Sequence, residues 1–258
     1  MAANTHALVR LGHLVFWGGR GSEGFFVDDG GLEGWSDAPT TRGEDIEIPQ
    51  GHGSYDSAEF YDSRVVTVSG VCSARSPGQL GQYRNELMGV LQGRVQVLVD
   101  DLGVKTYAHG RRFGQPKFKP DAHGRRAQFQ FSVRCADPRR YGERVDIATV
   151  AAGTAQTVWH RGNFPAAPVQ VVAGSMPNGY RLDGPDGRSL TVGRALAAGA
   201  PHTIDHSTGV LSIGGVAQFG AITGGGFWTL NPGRTATHTL VPVSGTGTLE
   251  SIVRDTYI

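Results

Sequence analysis

Apolar and polar residues alternate along much of this chain. From Arg126 to Cys135, Ala127, Phe129, Phe131, Val133 and Cys135 share one face, and Gln128, Gln130, Ser132 and Arg134 share the other. A period of two with one apolar face predicts a strand with one buried and one wet side. Arg64 to Cys72 (RVVTVSGVC) predicts another strand, rich in β-branched residues, and Ala7 to Trp17 an opening one. Arg94 to Asp100 predicts a further strand, which the turn Asp101-Leu102-Gly103 folds back onto Val104 to Gly110 as a hairpin.

One segment changes period. Ser76-Pro77 supplies an N-cap followed by proline at the first helical position. Leu80, Tyr83, Leu87 and Leu91 then recur at three- and four-residue steps, with Val90 alongside, until Gly93. This predicts a single helix over about 77–92 laid on a sheet. Gly30 to Gly53 is rich in Gly, Pro, Asp and Thr and predicts a long ordered connection, in which Trp35, Ile46 and Ile48 give it something to bury.

After Tyr141 the texture shifts. From about Asp146 onward the pattern is of short strands only: Pro168 to Ala173, Tyr180 to Leu182, Ser189 to Val192, His202 to Asp205, Val210 to Ile213, Phe227 to Leu230, Thr235 to Val241 and Thr248 to Val253. Turn chemistry such as Asp183-Gly184-Pro185-Asp186-Gly187 and Asn231-Pro232-Gly233 separates them. Regular short strands without a helical pattern predict an antiparallel sandwich or jelly roll. The chain is therefore read as mainly β, with a first domain over 1–145 carrying the helix and a sandwich domain over 146–258.

Composition sharpens this reading. Glycine makes up 39 of 258 residues, about twice the ordinary share, as many tight turns require. The net charge of +1 predicts no overall electrostatic grip on nucleic acid or an anionic membrane. Lysine occurs only at Lys105, Lys117 and Lys119, so the cations are nearly all arginine. A GC-rich coding sequence would produce that bias, and so would an interface-rich surface. Cys72 and Cys135 stand in alternating apolar stretches and are read as two buried thiols in a reducing compartment rather than a disulfide. The first residues lack the pattern of a signal peptide, and no run is long enough for a transmembrane helix.

Candidate chemistry is sparse. The cysteines have no Cys-x-x-Cys partner, and no metalloprotease helix is present. His202, Asp205 and His206 form the nearest metal-like cluster, but on a strand Asp205 would face away from the two histidines. The acidic pairs Asp28-Asp29, Glu44-Asp45 and Asp100-Asp101 point to opposite faces of extended chain and make poor acid–base dyads. No nucleophile elbow appears, and Gly18-Gly19-Arg20-Gly21 lacks the residues of a phosphate loop. No enzyme, cofactor or metal site is expected. The doublets Arg111-Arg112, Arg125-Arg126 and Arg139-Arg140 suit a solvated face, an acidic neighbouring subunit or, less readily, a nucleic-acid path.

Several segments, taken in order, resemble the distal tail protein (Dit) family of long, non-contractile siphovirus tails. They are Gly51 to Tyr61, the strand from Arg64 to Gly70, the helix Gln79 to Leu91, and Cys135-Ala136-Asp137-Pro138 followed by Tyr141. In the second half they are Gly162-Asn163-Phe164-Pro165-Ala166-Ala167-Pro168, His202 to Asp205, Phe227 to Leu230, Asn231-Pro232-Gly233 and Arg254-Asp255-Thr256-Tyr257-Ile258. The resemblance implies a split-barrel-like first domain with a helix and a projecting hairpin, then a galectin-like sandwich. It also implies a homo-oligomer, a hexameric ring at the virion tail tip, assembled in the host bacterial cytoplasm. Such a ring docks the tail tube protein on one face and a tail-associated lysin or adhesin hub on the other, with DNA only in transit through the lumen and no membrane insertion.

A closed ring needs two different complementary surfaces on each copy. Asp101, Leu102 and Gly103 at the hairpin tip, Arg111 and Arg112 beyond it, and the Gly30 to Gly53 loop are the candidate subunit-interface residues. The alternative function is a carbohydrate-binding module for host-surface recognition, with Trp159 and Trp228 stacking on a sugar. A cell-wall hydrolase is the third class, and no acid–base or nucleophile set supports it.

Overall fold

Alternation of this kind closes sheets onto buried faces, and it does so twice here. The computed structural model describes residues 8–19, 21–43, 46–55 and 59–258. Ala7, Arg20, Glu44, Asp45 and residues 56–58, used in the sequence reading, lie outside that set. Two units result, Met1–Arg140 with Ile258, and Tyr141–Tyr257.

The first unit contains β1 (Leu8–Leu11), β2 (Leu14–Gly18), β3 (Gly24–Glu33), the two-residue strands β4 (Thr41–Arg42), β5 (Ile46–Glu47), β6 (Ser54–Tyr55) and β7 (Phe60–Tyr61), then β8 (Arg64–Ser73). Helix α1 (Pro77–Val90), β9 (Arg94–Asp101), β10 (Val104–Pro120) and β11 (Arg126–Cys135) follow. Seven of the described strands run in the order β11-β8-β3-β2-β1-β9-β10, and β10 pairs back onto β11, so they form a closed barrel without an open edge.

Strand β8 organises one wall of the barrel. Its ladder with β11 runs unbroken from Arg64 opposite Cys135 to Ser73 opposite Arg126, while its other edge pairs with β3. Gly70 sits where β3 crosses closely: a Cβ there would lie 1.9 Å from the Phe26 carbonyl oxygen, so a side chain would push the strands apart. Inside, Phe16 meets Phe25, Phe131 and Phe129 at ring-centroid distances of 5.0, 5.3 and 5.5 Å. Cys72 and Cys135 are buried and free, and burial pushes their thiols up to about 12 and about 11, which leaves them protonated and inert at neutral pH.

Helix α1 begins as its sequence dictates. The Ser76 hydroxyl accepts from the Gln79 amide at 3.2 Å, and Pro77 occupies the first turn. Leu80, Leu87 and Leu91 are buried in the barrel core, with Tyr83 and Val90 packed against it. Glu23 fastens the helix start through an ion pair to Arg75 at 2.6 Å and a hydrogen bond from Gln79.

Several expectations need correction. The opening segment is two strands rather than one, because Gly12, at φ +58°, turns the chain back between Leu11 and Leu14. Strand β10 continues past Gly110 to Pro120, carried over a bulge between Phe113 and Lys117. The connection after Gly30 is partly a β-ribbon: Thr41 pairs with Tyr61, Arg42 with Phe60, Ile46 with Tyr55 and Glu47 with Ser54. Ile46 is 55% exposed rather than buried.

Trp35 is fully buried, and a neighbouring arginine explains how its loop is held. Arg64, itself 2% exposed, donates from Nη1 to the carbonyls of Gly34, Trp35 and Asp37 at 2.7, 2.8 and 2.7 Å. Its Nε donates to the Pro138 carbonyl at 2.9 Å. Desolvation, and secondarily the Arg140 cation, push Arg64 down to about 10, so it remains charged at neutral pH.

The second unit contains β12 (Arg140–Ala151), β13 (Gln156–Val158), β14 (Val169–Ser175), β15 (Tyr180–Asp183), β16 (Ser189–Val192), β17 (His202–Asp205), β18 (Val210–Ile213), β19 (Val216–Ala217), β20 (Ile222–Gly225), β21 (Ala236–Pro242) and β22 (Thr246–Tyr257). These form two sheets, in the orders β12-β22-β14-β17-β18-β19 and β13-β21-β15-β16-β20, with Val172, Tyr180, Leu182, Leu190, Ile204, Leu240 and Leu249 in the core between them. Not all of its strands are short, since β12 and β22 each run 12 residues. Phe227 to Leu230 is not a strand; Leu230 makes one bridge to Ala166.

Replacing Arg64 with leucine removes the donors while leaving four carbonyls near the core. The full chain is expected to lose on the order of 3 kcal/mol in denaturant unfolding. A loss below about 1 kcal/mol would contradict the role given to Arg64.

Candidate interaction surfaces

The turn between β9 and β10 is held by backbone conformation. Leu102 and Gly103 adopt φ +52° and +80°, as a two-residue hairpin turn demands, and Leu102 is 82% exposed. Asp101 accepts a hydrogen bond from the Ser36 hydroxyl at 3.0 Å. The hairpin tip and the connection after Gly30, proposed separately from sequence, therefore meet. Arg111 and Arg112 lie further along β10, both exposed and on opposite faces: Arg111 stands opposite Arg134 of β11, and Arg112 opposite the buried Val133. The other doublets are placed differently. Asp121 accepts from the Arg125 and Arg126 backbone amides, and Arg139 pairs with Asp137 at 2.8 Å.

The ribbon from Thr41 to Tyr61 exposes Ile46, Tyr55 and Phe60 by more than half their surface, with Tyr61 partly exposed. These apolar side chains stand on a thin ribbon outside the barrel core. The grooves on the outer barrel wall are polar and open, one lined by Phe26, Asp28, Val71 and Arg126, the next by Asp28, Lys117, Lys119 and Gln130. Neither gathers an acid–base pair. Among the described residues no group of three metal-ligating side chains converges, and no helix is long and apolar enough to cross a membrane.

In the sandwich, the two proposed sugar-stacking tryptophans separate. Trp159 is 39% exposed, with the Arg161 guanidinium 5.5 Å from its ring. Trp228 is 2% exposed and belongs to the core, so it has no face to offer a sugar. Its role is internal. The Trp228 indole N–H donates to His238 Nε2 at 3.1 Å, and its backbone amide donates to His206 Nδ1 at 3.2 Å. His206 donates from Nε2 to Gln170 Oε1 at 2.8 Å, and His238 Nδ1 faces the Ser251 hydroxyl at 3.0 Å. His202 is also inward, 3.1 Å from the Tyr180 hydroxyl, so the 202–206 segment is core rather than a metal site.

Three of the segments that carry the family resemblance in this unit converge on one another. Gly162 packs so tightly that a Cβ would lie 1.9 Å from the Thr256 carbonyl oxygen. The Arg161 amide donates to Asp255 at 2.7 Å, the Phe164 amide to the Thr256 carbonyl at 3.1 Å, and His160 Nε2 to the Leu230 carbonyl at 3.2 Å. The entry segment, the Trp228-to-Leu230 segment and the final strand thus close one end of the sandwich together.

No protein-family model matches the chain, and no curated protein matches it. Solved structures do. The crystal structure of SPP1 Dit (gp 19.1), described as a paradigm of the hub adsorption apparatus in phages that infect Gram-positive bacteria, superposes with a TM-score of 0.72 at 14% identity, covering 90% of this chain and 93% of that one. The chain has the Dit fold. Two structures of the phage P2 baseplate in its activated conformation, with Ca and with Sr, show a weaker likeness to the Dit-fold chain. Their TM-scores are 0.52 and 0.50 at 7% identity, each covering 95% of this chain and 98% of that one.

The histidine network makes the sandwich acid-sensitive. Burial pushes His206 down to about 4 and His238 down to about 3, so both are neutral at pH 7. Protonating either ring would also turn a nitrogen that accepts from Trp228 into a donor facing a donor. An unfolded histidine titrates near 6.5, so the stabilisation is complete above that pH and is lost progressively as pH falls from there towards the folded values, at a cost on the order of 3 kcal/mol or more per ring. Scanning calorimetry should show the sandwich transition falling steadily from pH 7 to pH 4. A flat transition temperature over that interval would contradict the network.

Proposed function

We propose that the chain is a structural distal tail protein of a long-tailed phage, a non-enzymatic hub component that joins the tail tube to the tail-tip adhesin or lysin. The observation that carries this reading is the extent of the likeness to SPP1 Dit: it spans 90% of the chain, and so includes both the barrel and the sandwich. Either domain alone would be a common β scaffold and a weak warrant. Their succession in one chain is far more specific. The phage P2 baseplate structures add neighbours from a second tail assembly.

In this reading six copies form a ring with DNA passing through its lumen. The first domain, 1–145, supplies the ring contacts, and the galectin-like sandwich, 146–258, decorates the periphery. A heterologous contact that closes needs two different exposed surfaces on each copy. The exposed ribbon, the Asp101-Leu102-Gly103 tip and the arginines of β10 offer such surfaces. The glycan-binding alternative loses its second ring with Trp228 buried.

Mass measurement in solution, with negative-stain imaging, tests the reading. The full chain, alone at high concentration or mixed with its tube protein, is expected to give rings of six. A chain that stays monomeric under both conditions contradicts it.

A further inference from the structure

The charges of the barrel unit are segregated along the sequence. Residues 23–62 carry eleven carboxylates and a single cation, Arg42, whereas residues 94–134 carry nine cations and three carboxylates. Folding turns the second set into a row. Arg111 of β10 stands directly opposite Arg94 of β9 on one side and Arg134 of β11 on the other. Three exposed guanidiniums therefore lie abreast across three neighbouring strands. Like charges directly opposite destabilise a sheet, so the row costs the isolated barrel stability.

Nothing within the described residues neutralises it. Among the described residues none of the three arginines takes part in an ion pair; Arg134 donates to the Ser63 hydroxyl at 2.8 Å. Phe113, two residues on from Arg111 and on the same face, is 50% exposed. Arginines grouped around an exposed ring have the composition of an interface hot spot.

The complementary surface is on the same chain. Glu47 and Glu59 are exposed on the Thr41-to-Tyr61 ribbon, beside the exposed Ile46, Tyr55 and Phe60, and neither makes an ion pair among the described residues. We propose that the acidic, aromatic ribbon of one copy docks on the Arg94–Arg111–Arg134 row of the next. This rests on the ring reading above and specifies which two faces meet. Arginines would be neutralised by carboxylates, and Phe113 would be covered by the ribbon's apolar side chains. Near-zero net charge keeps copies from repelling one another, while the segregated charges steer head-to-tail approach.

Charge reversal in the full chain tests the contact by sedimentation velocity. Arg94→Glu with Arg111→Glu should raise the apparent dissociation constant of self-association at least about tenfold, and so should Glu47→Arg with Glu59→Arg. All four reversals together should restore association, and about 0.5 M salt should weaken the wild type. Arg94→Gln with Arg111→Gln guards against misfolding: it should melt no lower than wild type, because it relieves repulsion, yet still associate more weakly. An oligomer unchanged by the reversals overturns the proposed contact and leaves the ring reading standing. Failure of the fourfold variant to recover also overturns it. A wild type that is monomeric throughout removes both. Should the reversals abolish binding to a duplex DNA probe while leaving self-association intact, the row serves a nucleic acid and the proposal is wrong.

Discussion

Arg64 places a full positive charge inside the barrel wall, and that charge is tolerated because four backbone carbonyls converge on it from two segments of the chain, 34–37 and Pro138. Nε and Nη1 carry these bonds while Nη2 is buried without one, so the charge is held by most of its donors and by the carbonyl dipoles around it. The constraint reaches outward in two directions. It fixes residues 34–37, and thereby the point from which the exposed ribbon departs. It also holds Pro138, the end of the segment that follows β11. Because Arg64 is the first residue of β8, the strand shared by two barrel ladders, the same side chain ties the loop geometry to the register of the wall. Trp35 is buried beneath this arrangement, with the Arg140 guanidinium 5.9 Å from its ring.

The sandwich is held by a different device of the same kind. Gln170, His206, His238, Ser251 and the Trp228 indole form a buried polar network between apolar layers. Such networks specify one packing because every partner must be present. Both units therefore combine ordinary alternating strands with one buried polar anchor that selects a single arrangement of loops. Each anchor thereby holds particular loops at fixed positions on its own unit.

Much of the fold is legible in the sequence, for physical reasons. The 126–135 and 64–72 segments alternate cleanly because one face of each is buried and the other wet. Helix α1 announces itself through Ser76, Pro77 and the leucine spacing. The ribbon is not legible, since both its faces are exposed and no alternation marks it. Phe227-Trp228 reads as a strand because its composition is apolar, but its hydrogen bonds go to His206 and His238 instead of a ladder. The acidity of 23–62 set against the basicity of 94–134 is legible in the sequence as well. The arginine row itself depends on register across three strands, which no local pattern states.

The function proposed for this Dit-fold chain places it in the tail-tip hub. Its most direct test is to label intact virions with gold-conjugated antibody raised against the purified chain. The account predicts gold at the distal end of the tail, where the tube meets the tip, and nowhere else. Label along the tube or on the capsid, or none on virions at all, would contradict it.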